Sequence, residues 1–157
     1  MDKEKEKQKA REDAYRLISY RDRSESELRK RLLKKGHTKK IINDIIPRIK
    51  ELGYIDDRRF AGKWVRHKVK HSPKGRYLLR AELKQKGVDS KIIEQALNRE
   101  YPYELELKTA IELAEKWLSK SRNRGKEVVK LKVYLKNKGF NYDLISDTID
   151  SIDYKQT

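Results

Sequence analysis

Three kinds of side chain in this sequence have types and spacing that could do chemistry. His67 and His71 stand four apart, a helical spacing that can hold a metal, but Lys68 stands where an H-E-x-x-H site needs its glutamate, and the chain has no cysteine. Asp143, Asp147, Asp150 and Asp153 could gather a divalent ion for nuclease chemistry. They lie opposite Leu144, Ile145, Ile149 and Ile152 on a helical pattern, so a solvated face accounts for them. There is no glycine-rich phosphate loop, and no Ser/His/Asp or Cys/His set can be assembled. No catalytic residue, metal or cofactor is expected, and the chain does not read as an enzyme.

The third kind is cationic and repeats. Leu28-Arg29-x-x-Leu32-x-x-Lys35-Gly36 recurs as Leu79-Arg80-x-x-Leu83-x-x-Lys86-Gly87 and as Leu131-Lys132-x-x-Leu135-x-x-Lys138-Gly139. The glycines are 51 and 52 residues apart, a period that implies tandem copies of one helical unit. Lys35, Lys86 and Lys138 each precede the terminating glycine, where a cation complements the helix dipole by roughly 0.3–1 kcal/mol. Arg29, Arg80 and Lys132 sit early in their helices and have no dipole reason. Either they snorkel over the leucines or pair with acids such as Glu27, or they contact a partner.

Charge points the same way. The chain has 41 Lys and Arg against 25 Asp and Glu, a formal net charge of +16, which favours a polyanionic partner. From Arg58 to Lys86 there are eleven cations and one acid, Glu82. Solubility needs far less, so Arg58, Arg59, Arg66, Lys68, Lys70, Lys74, Arg76, Arg80 and Lys84 are the expected polyanion contacts, with Arg29 and Lys132 from the repeated column. No base-reading pattern stands out, so backbone contact is expected over sequence readout.

These groups need elements to position them. Mean hydropathy is −1.04 and 42% of residues are charged, but the apolar residues recur at helical spacing, which argues against disorder. Only three prolines and seven glycines occur. The fold class expected is all-α, an elongated tandem array of three three-helix repeats, about nine helices in all. Met1–Asp13 is a charged lead, either a frayed start or a solvated extension of the first helix. Repeat one covers 14–56, repeat two 57–100 and repeat three 101–157, carrying formal charges of +6, +8 and +2.

Caps mark the helices. Ser24 and Glu27 form a capping box, and Gly36 suits a left-handed helix end. Pro47 threatens a kink in the Ile41–Ile49 helix. Asp56 or Asp57 opens the next helix; Ser72-Pro73 restarts the chain as cap and first-turn proline; Asp89 or Ser90 caps the helix after. A basic loop from Lys120 to Lys126 joins the first two helices of repeat three. Trp64 and Trp117 occupy equivalent stripe positions, which favours core packing over base stacking. No stretch is long and apolar enough for a membrane span, so a cytoplasmic, membrane-free protein is expected.

The sequence resembles the RecX family of bacterial recombinase regulators over nearly its whole length after Asp13. The resemblance rests on Arg23-Ser24-x-x-Glu27-Leu28-x-x-x-Leu32-x-x-Lys35-Gly36 and, most specifically, on Gly53-Tyr54-Ile55-Asp56-Asp57-x-Arg59-Phe60-Ala61. Lys74-Gly75, Glu82-Leu83 and Lys86-Gly87-Val88 fit the middle of the family pattern. Ala114-x-Lys116 and Lys138-Gly139-Phe140 fit its end more loosely. Tyr54 departs mildly from the bulky apolar residue expected there.

The resemblance implies tandem three-helix repeats. It also implies binding in the groove of the RecA recombinase filament on single-stranded DNA, with inhibition of ATP hydrolysis, strand exchange and filament extension. A monomer is expected. The nearly neutral third repeat would face protein while the first two approach DNA. The competing reading is a non-specific architectural protein that binds naked DNA, duplex included. Backbone contact to ~6–10 phosphates would lose about 10³–10⁵ in affinity between 50 and 200 mM salt under either reading.

Overall fold

The computed structural model describes residues 2–120 and 128–156, with side chains through Ile152 in the last helix. Residues 121–127, most of the basic loop, and the Asp153 carboxylate lie outside the described residues. Among the described residues there are nine α-helices and no strand: α1 (Lys3–Tyr20), α2 (Glu25–Lys34), α3 (Lys39–Glu51), α4 (Asp57–His71), α5 (Arg76–Gln85), α6 (Ser90–Glu100), α7 (Tyr103–Ser119), α8 (Val128–Asn137) and α9 (Tyr142–Gln156).

Local chemistry sets most boundaries. Ser24 Oγ accepts the Glu27 N–H at 3.1 Å while Glu27 Oε1 accepts the Ser24 N–H at 3.2 Å, the reciprocal box expected at the start of α2. Asp56 caps α4, accepting from the N–H groups of Arg58 and Arg59. Asp89 caps α6 and Asn141 caps α9 in the same manner. The repeated glycine phrase is a Schellman turn in all three copies. At the first, the Gly36 N–H bonds the Leu33 carbonyl and the His37 N–H bonds the Leu32 carbonyl; the same pair of bonds closes at Gly87-Val88 and Gly139-Phe140. Gly53-Tyr54 ends α3 identically. α3 runs unbroken through Pro47, whose ring is exposed.

The charged lead takes the second of its two expected forms: it is helical from Lys3 and continuous with α1, with Ala10 fully buried within it. One expectation changes. Ser72-Pro73 is not the start of a helix: α4 runs to His71, and α5 begins only at Arg76. Gly75 stands at the cap position because its N–H bonds the Lys138 carbonyl at 2.7 Å, and the Arg76 N–H takes the Glu106 carboxylate at 2.9 Å.

The chain forms two compact units, residues 1–61 with 83–93, and 62–82 with 94–157. The division passes through α4, α5 and α6. In the first unit Ala10, Ala14, Leu17, Leu28, Leu32, the α3 isoleucines and Ile55 form one core. Five isoleucines of α3 are each at most 4% exposed, so truncating one to alanine should cost about 2–5 kcal/mol. Arg23 is buried beside this core, its Nε donating to the Leu17 carbonyl at the end of α1. In the second unit Ala110, Ala114, Leu131, Leu135, Phe140, Leu144, Ile145, Ile149 and Ile152 form the core, with Trp117 stacked on Tyr134 at its edge.

Each unit contains one copy of the same joint. In the first, Ser24 Oγ at the start of α2 donates to the Lys86 carbonyl at 2.5 Å, and a side chain on Gly87 would fall on Ser26. In the second, the Gly75 N–H at the start of α5 donates to the Lys138 carbonyl, and a side chain on Gly139 would meet Leu78. Ser24 and Gly75 are 51 residues apart; Lys86 and Lys138 are 52. The repeated Lys-Gly is therefore a socket for the start of a helix one repeat earlier.

Candidate nucleic-acid interface

The expected contacts separate by what each cation already touches. Arg29 donates Nε to Glu25 at 2.9 Å and Nη1 to Asn43 on α3 at 2.7 Å. Arg80 grips Glu94 on α6, with Nη2 at 2.7 Å and Nε at 2.9 Å. Asn43 and Glu94 are equivalent positions, each following a paired isoleucine. The first two members of the column thus tie the second helix of a repeat to its third, the pairing alternative left open by the sequence, with Glu25, Asn43 and Glu94 as the partners in place of Glu27. Lys132 breaks the pattern: it is exposed on α8, and Ser146 stands at the equivalent of Glu94.

Other members are also engaged. Arg66 pairs with Glu100 at 2.8 Å, and Lys74 with Glu82 at 2.7 Å in a half-buried pair. Glu82 also accepts the Trp64 indole N–H, and Lys68 lies over that ring at 5.0 Å. Arg76 donates to Asn98, and Arg59 to the Gly53 carbonyl. Arg58, Lys70 and Lys84 extend into solvent. Along α4, Arg59, Lys63, Arg66 and Lys70 follow one another at i, i+4, i+7 and i+11, and all four are exposed, so they form one cationic stripe. Lys63 belongs to it although it was not among the expected contacts.

A denser cationic surface lies elsewhere. From Arg29 to Lys40 there are seven cations and no acid. Lys30, Arg31 and Lys34 on α2 and Lys35 at its C-cap, with Lys39 and Lys40 opening α3, are all exposed, and none forms a salt bridge among the described residues. Lys35 belongs to the repeated phrase and was expected to complement the helix dipole; the other five stand outside that phrase, and Lys30 and Arg31 do not recur in the other repeats. The signal was the acid-free run itself. Lys39 and Lys40 occupy the first turn of α3, where a cation opposes the helix dipole, so local helix stability gives no reason for them.

The acids are mostly committed to holding helices. Burial pushes Glu27 upward, but bonds from Arg21 and Lys86 and from the Ser24 N–H outweigh it and bring it down to about 2. Asp13 is held below its usual range by a 2.7 Å bond to His37 Nε2. Asp57 and Glu106 are raised by burial, while each accepts the first N–H of a helix, Glu25 of α2 and Arg76 of α5. His67 and His71 are exposed with rings 4.6 Å apart, and no group of three metal-ligating side chains forms among the described residues. Asp147 accepts the Tyr103 hydroxyl, and Asp143 and Asp150 are exposed. No helix among the described residues is long and apolar enough to cross a membrane.

These features define an all-α protein of three-helix domains with exposed cationic surfaces. Residues 10–48 match the family model of the RecX first three-helix domain, and residues 56–97 that of the RecX second three-helix domain. The regulatory protein RecX of Chlorobaculum tepidum is 36% identical over 146 residues, covering 93% of this chain and 89% of that protein. That of Bacillus licheniformis is 36% identical over 140 residues. The chain spans about half the length of such Bacillus relatives, 53% of the licheniformis protein. The crystal structure of RecX from Lactobacillus salivarius superposes with a TM-score of 0.87 at 30% identity, covering 96% of this chain and 98% of that one. The chain belongs to the RecX family.

Proposed function

We propose that this chain binds a RecA-type recombinase filament on single-stranded DNA and restrains it, lowering ATP hydrolysis, strand exchange and filament extension. Three repeats, at 14–56, 57–100 and 101–157, would engage it in tandem. One observation carries the nucleic-acid part: six exposed cations with no acid among them, around the α2–α3 turn. Clustered cations of this kind gain affinity by releasing the counterions of a phosphate backbone. The stripe on α4 adds a second cationic line. The third repeat, nearly neutral at +2, would face protein.

The test is the ATPase of a cognate recombinase on single-stranded DNA with sub-stoichiometric protein. Inhibition is expected; its absence rejects the filament reading. The competing reading, architectural binding to naked duplex DNA, predicts equal affinity for bare duplex and for filament. Reversal of Lys39 and Lys40 should weaken DNA binding more than reversal of Lys132 and Lys136, and equal losses would remove the assignment of DNA to the first repeat.

A further inference from the structure

The joint described above has three sockets and two occupants among the described residues. Lys86-Gly87 holds the start of α2, through Ser24 on the Lys86 carbonyl, Ser26 against Gly87, and Glu27 on Lys86 Nζ at 3.0 Å. Lys138-Gly139 holds the start of α5. At Lys35-Gly36 the Schellman turn is the same, but a side chain on Gly36 would meet nothing within 4 Å. Lys35 is exposed and makes no salt bridge, its charge acting on the Asp13 carboxylate only at longer range, and no donor stands on its carbonyl among the described residues. A concavity of about 190 Å³ opens there between the turn and α1, lined by Glu6, Lys9, Gly36 and Ile41.

We propose that Lys35-Gly36 is an open docking socket for the first turn of a helix in a protein partner, one that begins Ser-x-small-Glu. The filled socket in the same unit sets this chemistry. The partner's cap hydroxyl would donate to the Lys35 carbonyl, one of the orphan acceptors at the end of α2. Its small third residue would lie over Gly36, where a larger one would not fit as closely as Ser26 does over Gly87. Its glutamate at the fourth position would meet Lys35 Nζ, as Glu27 meets Lys86. The chain's own Ser24 start is already committed to Lys86, so a second copy cannot offer that segment without breaking its own joint. This inference does not depend on the recombinase reading.

The probe is a lactam-stapled helical peptide beginning Ser-Glu-Ser-Glu-Leu, with the lysines and arginines that follow in α2 replaced by alanine. It is titrated into the full isotope-labelled chain and followed by amide chemical shifts. Saturable shifts at Gly36 and His37 are expected, weakened at least tenfold in Lys35→Glu and unchanged in Lys34→Glu, which makes the same charge change one residue away. A peptide with alanine and glutamine in place of its cap serine and its second glutamate should lose the response. No saturable shift, shifts centred on Gly87 and Val88, or equal losses in the two lysine variants would each overturn the socket.

Discussion

Lys86 at the end of α5 reaches Glu27 at the start of α2, with Nζ 3.0 Å from Oε2, across 59 residues of sequence. The same glutamate takes Arg21 at 2.8 Å and the Ser24 N–H. One carboxylate therefore closes a helix cap and a joint between repeats.

Glu27→Gln should destabilise the protein by roughly 1–3 kcal/mol at pH 7, since charged hydrogen bonds are lost from a largely buried group. Its folded pKa, about 2, lies below the ordinary 4.5. The stabilisation is thus fully present above about pH 5 and is lost as pH falls through 4.5 towards 2. Urea unfolding of wild type and Glu27→Gln should show the gap between them closing across that window. A gap constant from pH 7 to 2 would remove the electrostatic account.

Glu106 has the opposite sign. Burial raises its folded pKa, so ionisation in the unfolded chain comes first, and this group's contribution turns against folding as pH rises through 4.5. Glu106→Gln keeps an acceptor for the Arg76 N–H, so it should match wild type at pH 4 and be the more stable protein at pH 7. Glu106→Leu strands that N–H and should be about 1–3 kcal/mol less stable than Glu106→Gln at either pH. Thermal melts at the two pH values check both.

The glycines should rank by what surrounds them. At Gly87, φ is +76° and a side chain would fall on Ser26; at Gly36, φ is +99° with open space. Gly36→Ala should cost only the left-handed backbone penalty, about 1–2 kcal/mol. Gly87→Ala should cost that and an overpacking term of about 1–3 kcal/mol. Gly75 needs no unusual φ, but a side chain there would fall on the Gly139 carbonyl, so Gly75→Ala should resemble Gly87→Ala in size. Equal midpoint shifts at Gly36 and Gly87 would mean that the joint carries no stability.

Binding and stability should separate among the cations. Arg80→Ala loses the grip on Glu94 and should cost roughly 0.5–2 kcal/mol with a small effect on DNA. The triple reversal of Lys34, Lys39 and Lys40 to glutamate should leave the melting midpoint nearly unchanged. It should also reduce the salt slope for single-stranded DNA by about 2, at ~0.7 per phosphate contact. Fluorescence anisotropy over a salt series measures it, and an unchanged slope would take the α2–α3 surface out of the interface.

Local rules made much of this fold legible. The Ser24–Glu27 box, the Schellman glycines and the caps of α4 and α6, read as Asp56 or Asp57 and as Asp89 or Ser90, involve groups within five residues of one another, so the sequence determined them to within one residue. The apolar periodicity determined which helix faces are buried, and the repeat was readable in the Leu-x-x-Lys-Gly phrase. The tertiary structure alone decided which cations are spent. Arg29 and Arg80 look identical to an interface residue in sequence, yet Asn43 and Glu94, each 14 residues away, occupy them. It also decided that Lys86-Gly87 is filled while Lys35-Gly36 is open. The reason is physical: caps and turns depend on neighbours the chain cannot move apart. Ion pairs and joints depend on distances between helices, and those are set only once the cores have closed.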